Sequence, residues 1–176
     1  MKRPVLPPDD LTRKLRVVDP DDAGEVHLSL VGDTYTVLLS GEQTGGKYCL
    51  IDMHIPPGGG PPPHRHDFEE SFTVLAGEVE FTFREERHQL RSGQTVHIPA
   101  NAPHRFQNTG TAPARLLCIC APAGQEQFFA AVAAPVAGRT SPPPPMDPAA
   151  AEAVKARAVQ LASQYRTELI SPPRGG

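Results

Sequence analysis

Gly58-Gly59-Gly60-Pro61-Pro62-Pro63-His64-Arg65-His66-Asp67-Phe68-Glu69-Glu70 is the stretch from which the rest of the chain can be read. His64, His66 and Glu70 share one parity. On an extended strand, residues of one parity point to one face. If strand geometry runs from His64 to Leu75, two imidazoles and a carboxylate converge on one side, and Phe72 and Val74 continue that side as an apolar lining. Ser71 and Thr73 take the opposite, wet side. Placing Ala76-Gly77 at the centre of a two-residue turn gives a hairpin that pairs Val74 with Val79, Phe72 with Phe81 and Glu70 with Phe83. That register yields one apolar and one polar face. A buried carboxylate beside two histidines is costly unless something pairs with it, and a divalent metal is the simplest partner.

A second stretch repeats the logic. Gly93-Gln-Thr-Val-His-Ile-Pro99-Ala-Asn101-Ala-Pro-His104-Arg-Phe-Gln-Asn108 rises as a strand to Pro99, turns, and starts a new strand at His104. His104 can reach the same interior, with Phe106 and Asn108 on its own face. The set His64, His66, Glu70 and His104 would then be a site of three histidines and one carboxylate. His97 has opposite parity to Val96 and Ile98 and reads as a packed or substrate-facing residue rather than a fifth ligand. Asp67 and Glu69 read as a solvated acidic loop. His27, His54 and His88 read as ordinary strand or loop histidines. The glycines at 58–60 are no phosphate loop, because no Gly-Lys-Ser/Thr follows.

The whole chain sets bounds. With 176 residues, one domain with a substantial core is expected. A net charge of −3 gives no basic surface for nucleic acid or an anionic membrane. No apolar run is long enough to span a bilayer. Met1 to Asp10 carries Lys2 and Arg3 without an apolar core, so it is not expected to be a secretory signal. Cys49, Cys118 and Cys120 lack metal-ligand or C-x-x-C spacing. Cys118 and Cys120 lie on one face of an apolar strand and read as buried small hydrophobes in a reducing, cytoplasmic compartment.

Short β-rich runs separated by Gly and Pro extend from Gly24 to Ala121: 24–31, 34–39, 47–55, 78–83, 88–91, 95–98, 104–108 and 114–121. Such spacing predicts an all-β sandwich or barrel. Three regions are expected: an N-terminal arm at 1–23, a barrel at 24–121, and a helical, proline-rich C-terminal extension at 122–176. Leu11 to Val18 reads either as an edge strand or as a loose arm. Gly124 to Ala134 predicts a short helix. Pro142 to Pro145 is a stiff spacer. Asp147 as N-cap and Pro148 at the first helical position predict an amphipathic helix to about Tyr165, and 171–176 a tail.

Both quoted stretches together resemble the cupin superfamily. Gly58, His64, His66, Glu70 and Gly77 match the family's G-(x)5-H-x-H-(x)3,4-E-(x)6-G motif. Gly93, Pro99, His104 and Asn108 match G-(x)5-P-x-G-(x)2-H-(x)3-N, with Asn101 standing where the family has Gly. Asn tolerates left-handed backbone, so the turn is expected to be kept. The resemblance covers Tyr48 to Ala121. It implies a jelly-roll β-barrel, a metal on the three histidines and the glutamate, and a homodimer. The triple-Gly, triple-Pro lead-in and the proline-rich linker look like single-domain cupins related to quercetin dioxygenases. In that group the metal glutamate is also a base toward the substrate, a role carried here to Glu70. The resemblance thus points to a metal-dependent dioxygenase for a small enol or flavonol-like molecule, with Phe72, Val74, Phe81 and Phe106 as its apolar pocket. A binding protein without turnover and a metal-assisted isomerase, lyase or cyclase stand as alternatives. The ligand types suit Fe, Mn, Ni, Co, Cu and Zn alike.

Overall fold

A computed structural model of the chain describes residues 5–22 and 24–170, so residues 1–4 and the expected tail lie outside the described residues. In chain order the elements are β1 (Val26–Leu30), β2 (Asp33–Leu39), α1 (Gly41–Thr44), β3 (Cys49–Ile55), β4 (His64–His66), β5 (Glu69–Ala76), β6 (Glu78–Phe83), β7 (Glu86–Arg91), β8 (Thr95–Ile98), β9 (His104–Gln107), β10 (Ala114–Ala121), α2 (Gln125–Val132), β11 (Ala134–Pro135), α3 (Pro148–Ala162) and β12 (Thr167–Leu169). The strands form two antiparallel sheets. One runs β11-β1-β2-β3-β10-β5-β8 and the other β12-β4-β9-β6-β7. The chain passes from sheet to sheet between β3 and β4, β4 and β5, β5 and β6, β7 and β8, and β8, β9 and β10. This is a jelly roll, an all-β fold with short helices appended.

Alternation of apolar residues puts the core between the sheets. In β10 the even residues Ala114, Leu116, Cys118 and Cys120 are buried, and in β3 the odd residues Cys49, Ile51, Met53 and Ile55. Burying one side chain of this size contributes about 1.5–3 kcal/mol. Phe72 from the larger sheet packs at 5.1 Å on Phe81 and 5.4 Å on Phe106, both from the smaller sheet. These rings knit the two sheets together.

The parity expected for 64–75 holds, since His64, His66, Phe68, Glu70, Phe72 and Val74 are all buried. The expected continuity and hairpin do not. Asp67-Phe68 bends the chain from one sheet to the other, and β5 pairs with β10 and β8 rather than with β6. Gly77 sits at φ +75°, and a Cβ there would lie 3.0 Å from Ala114 Cα. The turn therefore throws the chain across the sandwich. Phe72 and Phe81 do face one another, across the core instead of along a ladder. The two-residue hairpin of this region is β6–β7, where Phe83 pairs with Glu86 and Arg84 takes φ +56°.

Leu11 to Val18 forms no strand. Arg13 donates to the Gln43 carbonyl, and Arg16 pairs with Glu25 at 2.7 Å. The loop expected after β2 contains α1, which Ser40 and Gln43 close with a capping box. The C-terminal extension is more than helical, because β11 adds to β1 and β12 to β4. In α2, Phe129 stacks on Tyr35 at 4.2 Å. No helix among the described residues is long and apolar enough to cross a membrane.

Candidate metal centre

His64 and His66 come from β4, and His104 from the neighbouring β9, directly opposite His64 in register. Glu70 comes from β5 in the other sheet. The cluster therefore spans the gap between the sheets. One donor atom from each of the four residues lies within 4.8 Å of all the others. His64 is 8% exposed, and His66, Glu70 and His104 are each 3% exposed. All four candidate ligands expected from the sequence are thus brought together.

Each imidazole is fixed the same way. The Nδ1 of His64 lies 2.9 Å from the Pro62 carbonyl, that of His66 2.9 Å from the Phe68 carbonyl, and that of His104 2.9 Å from the Ala102 carbonyl. A carbonyl only accepts, so each Nδ1 donates and carries the proton. Phe68 also stacks flat on His66 at 3.8 Å. In a neutral ring so held, Nε2 has a bare lone pair. Yet His66 Nε2 lies 2.9 Å and His104 Nε2 3.2 Å from Glu70 Oε2. Two lone pairs facing a carboxylate repel it unless a cation, a proton or a metal ion, lies among them.

The electrostatics agree. Burial pushes Glu70 up, but His104 and His66, donating when a proton sits on Nε2, outweigh it and hold the carboxyl below its usual range. Burial alone would depress His66, but Glu70 raises it on balance. Burial, helped by His104, lowers His64 to about 4. The site thus has a committed anion, a neutral imidazole and ring tautomers aimed inward. Nitrogen and oxygen donors of this kind suit first-row divalent metals, and the Nδ1 contacts are the outer hydrogen bonds such ligands use. The buried cluster fits a metal site.

The turn carrying His104 is kept as expected. Asn101 takes φ +68°, and its N–H donates to the His66 carbonyl at 2.6 Å, so the second stretch is tied to the first. Asn108 is buried and donates through Nδ2 to the carbonyls of Ile55 and Ala112 at 2.9 Å each. Gly60, at φ +128°, lets the lead-in pass against Phe106, whose carbonyl oxygen a Cβ would hit.

Other expectations need correcting. His97 is neither packed nor near the cluster. It is exposed on the outer face of its sheet, 3.0 Å from both Ser71 Oγ and Glu69. Phe72, Val74, Phe81 and Phe106, expected as a substrate pocket, are at most 2% exposed and pack on one another. They form a dry floor under the cluster, and a substrate could lie among them only if the rings moved apart.

Sequence reasoning missed two neighbours of Glu70. Cys118 Sγ lies 3.2 Å and Cys120 Sγ 3.5 Å from Glu70 Oε1. The signal was present in their parity, which puts them on the inner face of the strand beside β5. Burial pushes the Cys118 thiol up to about 12, with the Glu70 charge adding to the shift.

The cupin domain family matches residues 51–120, which contain both ligand stretches. An uncharacterized protein of Methanocaldococcus jannaschii is 32% identical over 79 residues, 44% of this chain and 63% of that one. Quercetin 2,3-dioxygenase of Bacillus subtilis is 36% identical over 73 residues, 41% of this chain and 22% of that enzyme. The chain thus spans less than two thirds of either relative. Among solved structures, a predicted oxalate decarboxylase from Thermotoga maritima superposes with a TM-score of 0.53 at 21% identity, covering 58% of this chain and 97% of that one. KdgF from Halomonas gives 0.51 at 14%, covering 57% and 89%. These likenesses bear on the fold. The motif residues and the jelly roll agree with the match over 51–120, and that stretch of the chain is similar to a cupin domain.

Proposed function

We propose that the protein is a metal-dependent dioxygenase acting on a small enol or flavonol-like substrate. One observation carries the metal part of this reading. Three imidazoles spend Nδ1 on backbone carbonyls, and the Nε2 atoms of two of them meet the same oxygen of Glu70. The partial match to quercetin 2,3-dioxygenase supports the oxygenase part. A divalent transition metal on His64, His66, His104 and Glu70 would supply a Lewis acid for a substrate oxygen and, if redox-active, an electron relay to dioxygen.

The chain's own groups have separate tasks. Glu70 Oε2 is the atom that takes the proton of the substrate hydroxyl, since it is the carboxylate oxygen turned toward the histidines. His66 and His104 flank that oxygen, and a cation shared among the three would hold it in place. Phe72, Phe81 and Phe106 keep water from beneath the site, which strengthens every charge interaction within it.

The test is to prepare metal-free protein, load it with Fe, Mn, Co, Ni, Cu or Zn, and follow oxygen uptake with flavonols and simpler enols. Uptake should require metal and fall at least about 100-fold in His64→Ala. Product formed without oxygen would replace this reading with isomerase, lyase or cyclase chemistry. Tight binding with no turnover would make the protein a binding module.

A further inference from the structure

Glu70 has two oxygens with different surroundings. Oε2 meets His66 and His104, while Oε1 points the other way, to Cys118 Sγ at 3.2 Å and Cys120 Sγ at 3.5 Å. The two sulfurs are 3.6 Å apart. The register of β10 on β5 creates this contact, since Cys120 stands opposite Glu70 and Cys118 opposite Phe72. Both thiols are 0% exposed, and Cys49, also 0% exposed, stands opposite Cys120 on β3.

From this geometry we infer that Cys118 and Cys120 are positioning residues that hold one oxygen of Glu70 out of the metal centre. The inference rests on the metal site proposed above. The terminal torsion of a glutamate is broad and roughly two-fold, so the side-chain rotamer alone does not fix which oxygen faces inward. A carboxylate has about four acceptor sites and can grip one cation through both oxygens. Two S–H donors on Oε1 oppose that grip. Oε2 alone is then presented, and a coordination position stays open for substrate or water. Thiols suit the task because they donate weakly yet pack as small hydrophobes. They occupy a dry strand face without adding a hydroxyl that needs further partners.

The experiment uses full-length, metal-free protein titrated with Co(II). It reads the visible d–d spectrum, whose intensity falls as coordination number rises, and the affinity by competition with a chelator. In Cys118→Ala/Cys120→Ala, Glu70 should bind through both oxygens, with weaker d–d bands and an affinity no lower than that of wild type. Cys118→Ala should do more than Cys120→Ala, following the shorter contact. Cys118→Ser should restore the wild-type spectrum, because a hydroxyl still donates; a purely packing role would not be rescued this way. Should the double variant not fold, the Cys118→Ala spectrum decides by the same criterion.

A wild-type spectrum in the alanine variants overturns the inference and leaves the metal centre standing. A sulfur-to-cobalt charge-transfer band in wild-type protein also overturns it, because the thiols would then be ligands. Failure of wild-type protein to take up Co(II) overturns the metal centre and this inference together.

Discussion

Asp33 lies beneath the glycine loop that leads into the first ligand strand. Its Oδ2 accepts from Tyr35 Oη and from the Gly60 N–H, both at 3.1 Å, while its buried Oδ1 has no hydrogen-bond partner. Burial dominates, raising the carboxyl to about 7 against the lowering effect of those two bonds. The titratable side chain bonded to it is Tyr35, itself pushed well above its ordinary range by burial. The folded state therefore holds a proton on Asp33 that the unfolded chain releases near pH 4. Its stabilising contribution is complete below about pH 4 and is lost as pH rises to about 7. The loss is on the order of a few kcal/mol. In Asp33→Asn the amide oxygen can accept the same two bonds without a charge. Urea unfolding should show the variant more stable than wild type at pH 8, with the gap closing toward pH 4. A constant gap across that range would refute the assignment. Nothing in the sequence marks Asp33, because its environment comes from Gly59 and Gly60, far along the chain. The ligands were legible because strand parity is local, and the thiols were visible by the same parity once their neighbour strand was known.

At the scale of elements, the strand that carries two histidines is itself held by a segment outside the cupin match. β12 lies alongside β4, with Thr167 opposite His66 and Leu169 opposite His64. Ile170 N–H donates to the Pro63 carbonyl at 2.8 Å, just before His64. The ion pairs that flank this ladder, Arg65–Glu168 and Arg166–Asp67, are exposed and contribute about 1 kcal/mol or less each. The ladder is the stronger tie. Ile170→Pro removes that donor and should lower Co(II) affinity roughly 3- to 10-fold, with the β-sheet signal intact. Hydrogen exchange should quicken at Arg65 and at Asp67, whose N–H donates to the Arg166 carbonyl; unchanged exchange would show that β12 merely decorates the edge. Neither β12 nor the β5–β6 crossing was legible from the sequence. A three-residue strand leaves too short a pattern to detect, and alternation fixes which face a residue takes but not which strand lies beside it. The β10 boundaries, by contrast, were readable to the residue, since an eight-residue run shows the alternation repeatedly.

For the whole molecule, the distribution of ligands between the sheets matters most. His64, His66 and His104 belong to the five-stranded sheet and Glu70 to the seven-stranded one. A cation bound by all four would cross-link the sandwich beside the Phe72–Phe81–Phe106 contact that already joins it. Metal bound only by the folded state stabilises it by about 2.7 kcal/mol at a free concentration of 100 Kd. For a chain of this size that corresponds to a rise of roughly 5–10 °C in Tm. Glu70→Gln separates the cross-link from simple binding, because it keeps the size of the side chain and removes the anion from the seven-stranded sheet. The three histidines would still hold a metal, all from one sheet. At one fixed metal concentration, about 100 times the wild-type Kd, wild type should gain the full shift and Glu70→Gln less than half of it, because the energy of the link between sheets appears as tighter binding. Equal shifts at that one concentration would mean that the cation is held by the five-stranded sheet alone, and that Glu70 does not brace the fold through it.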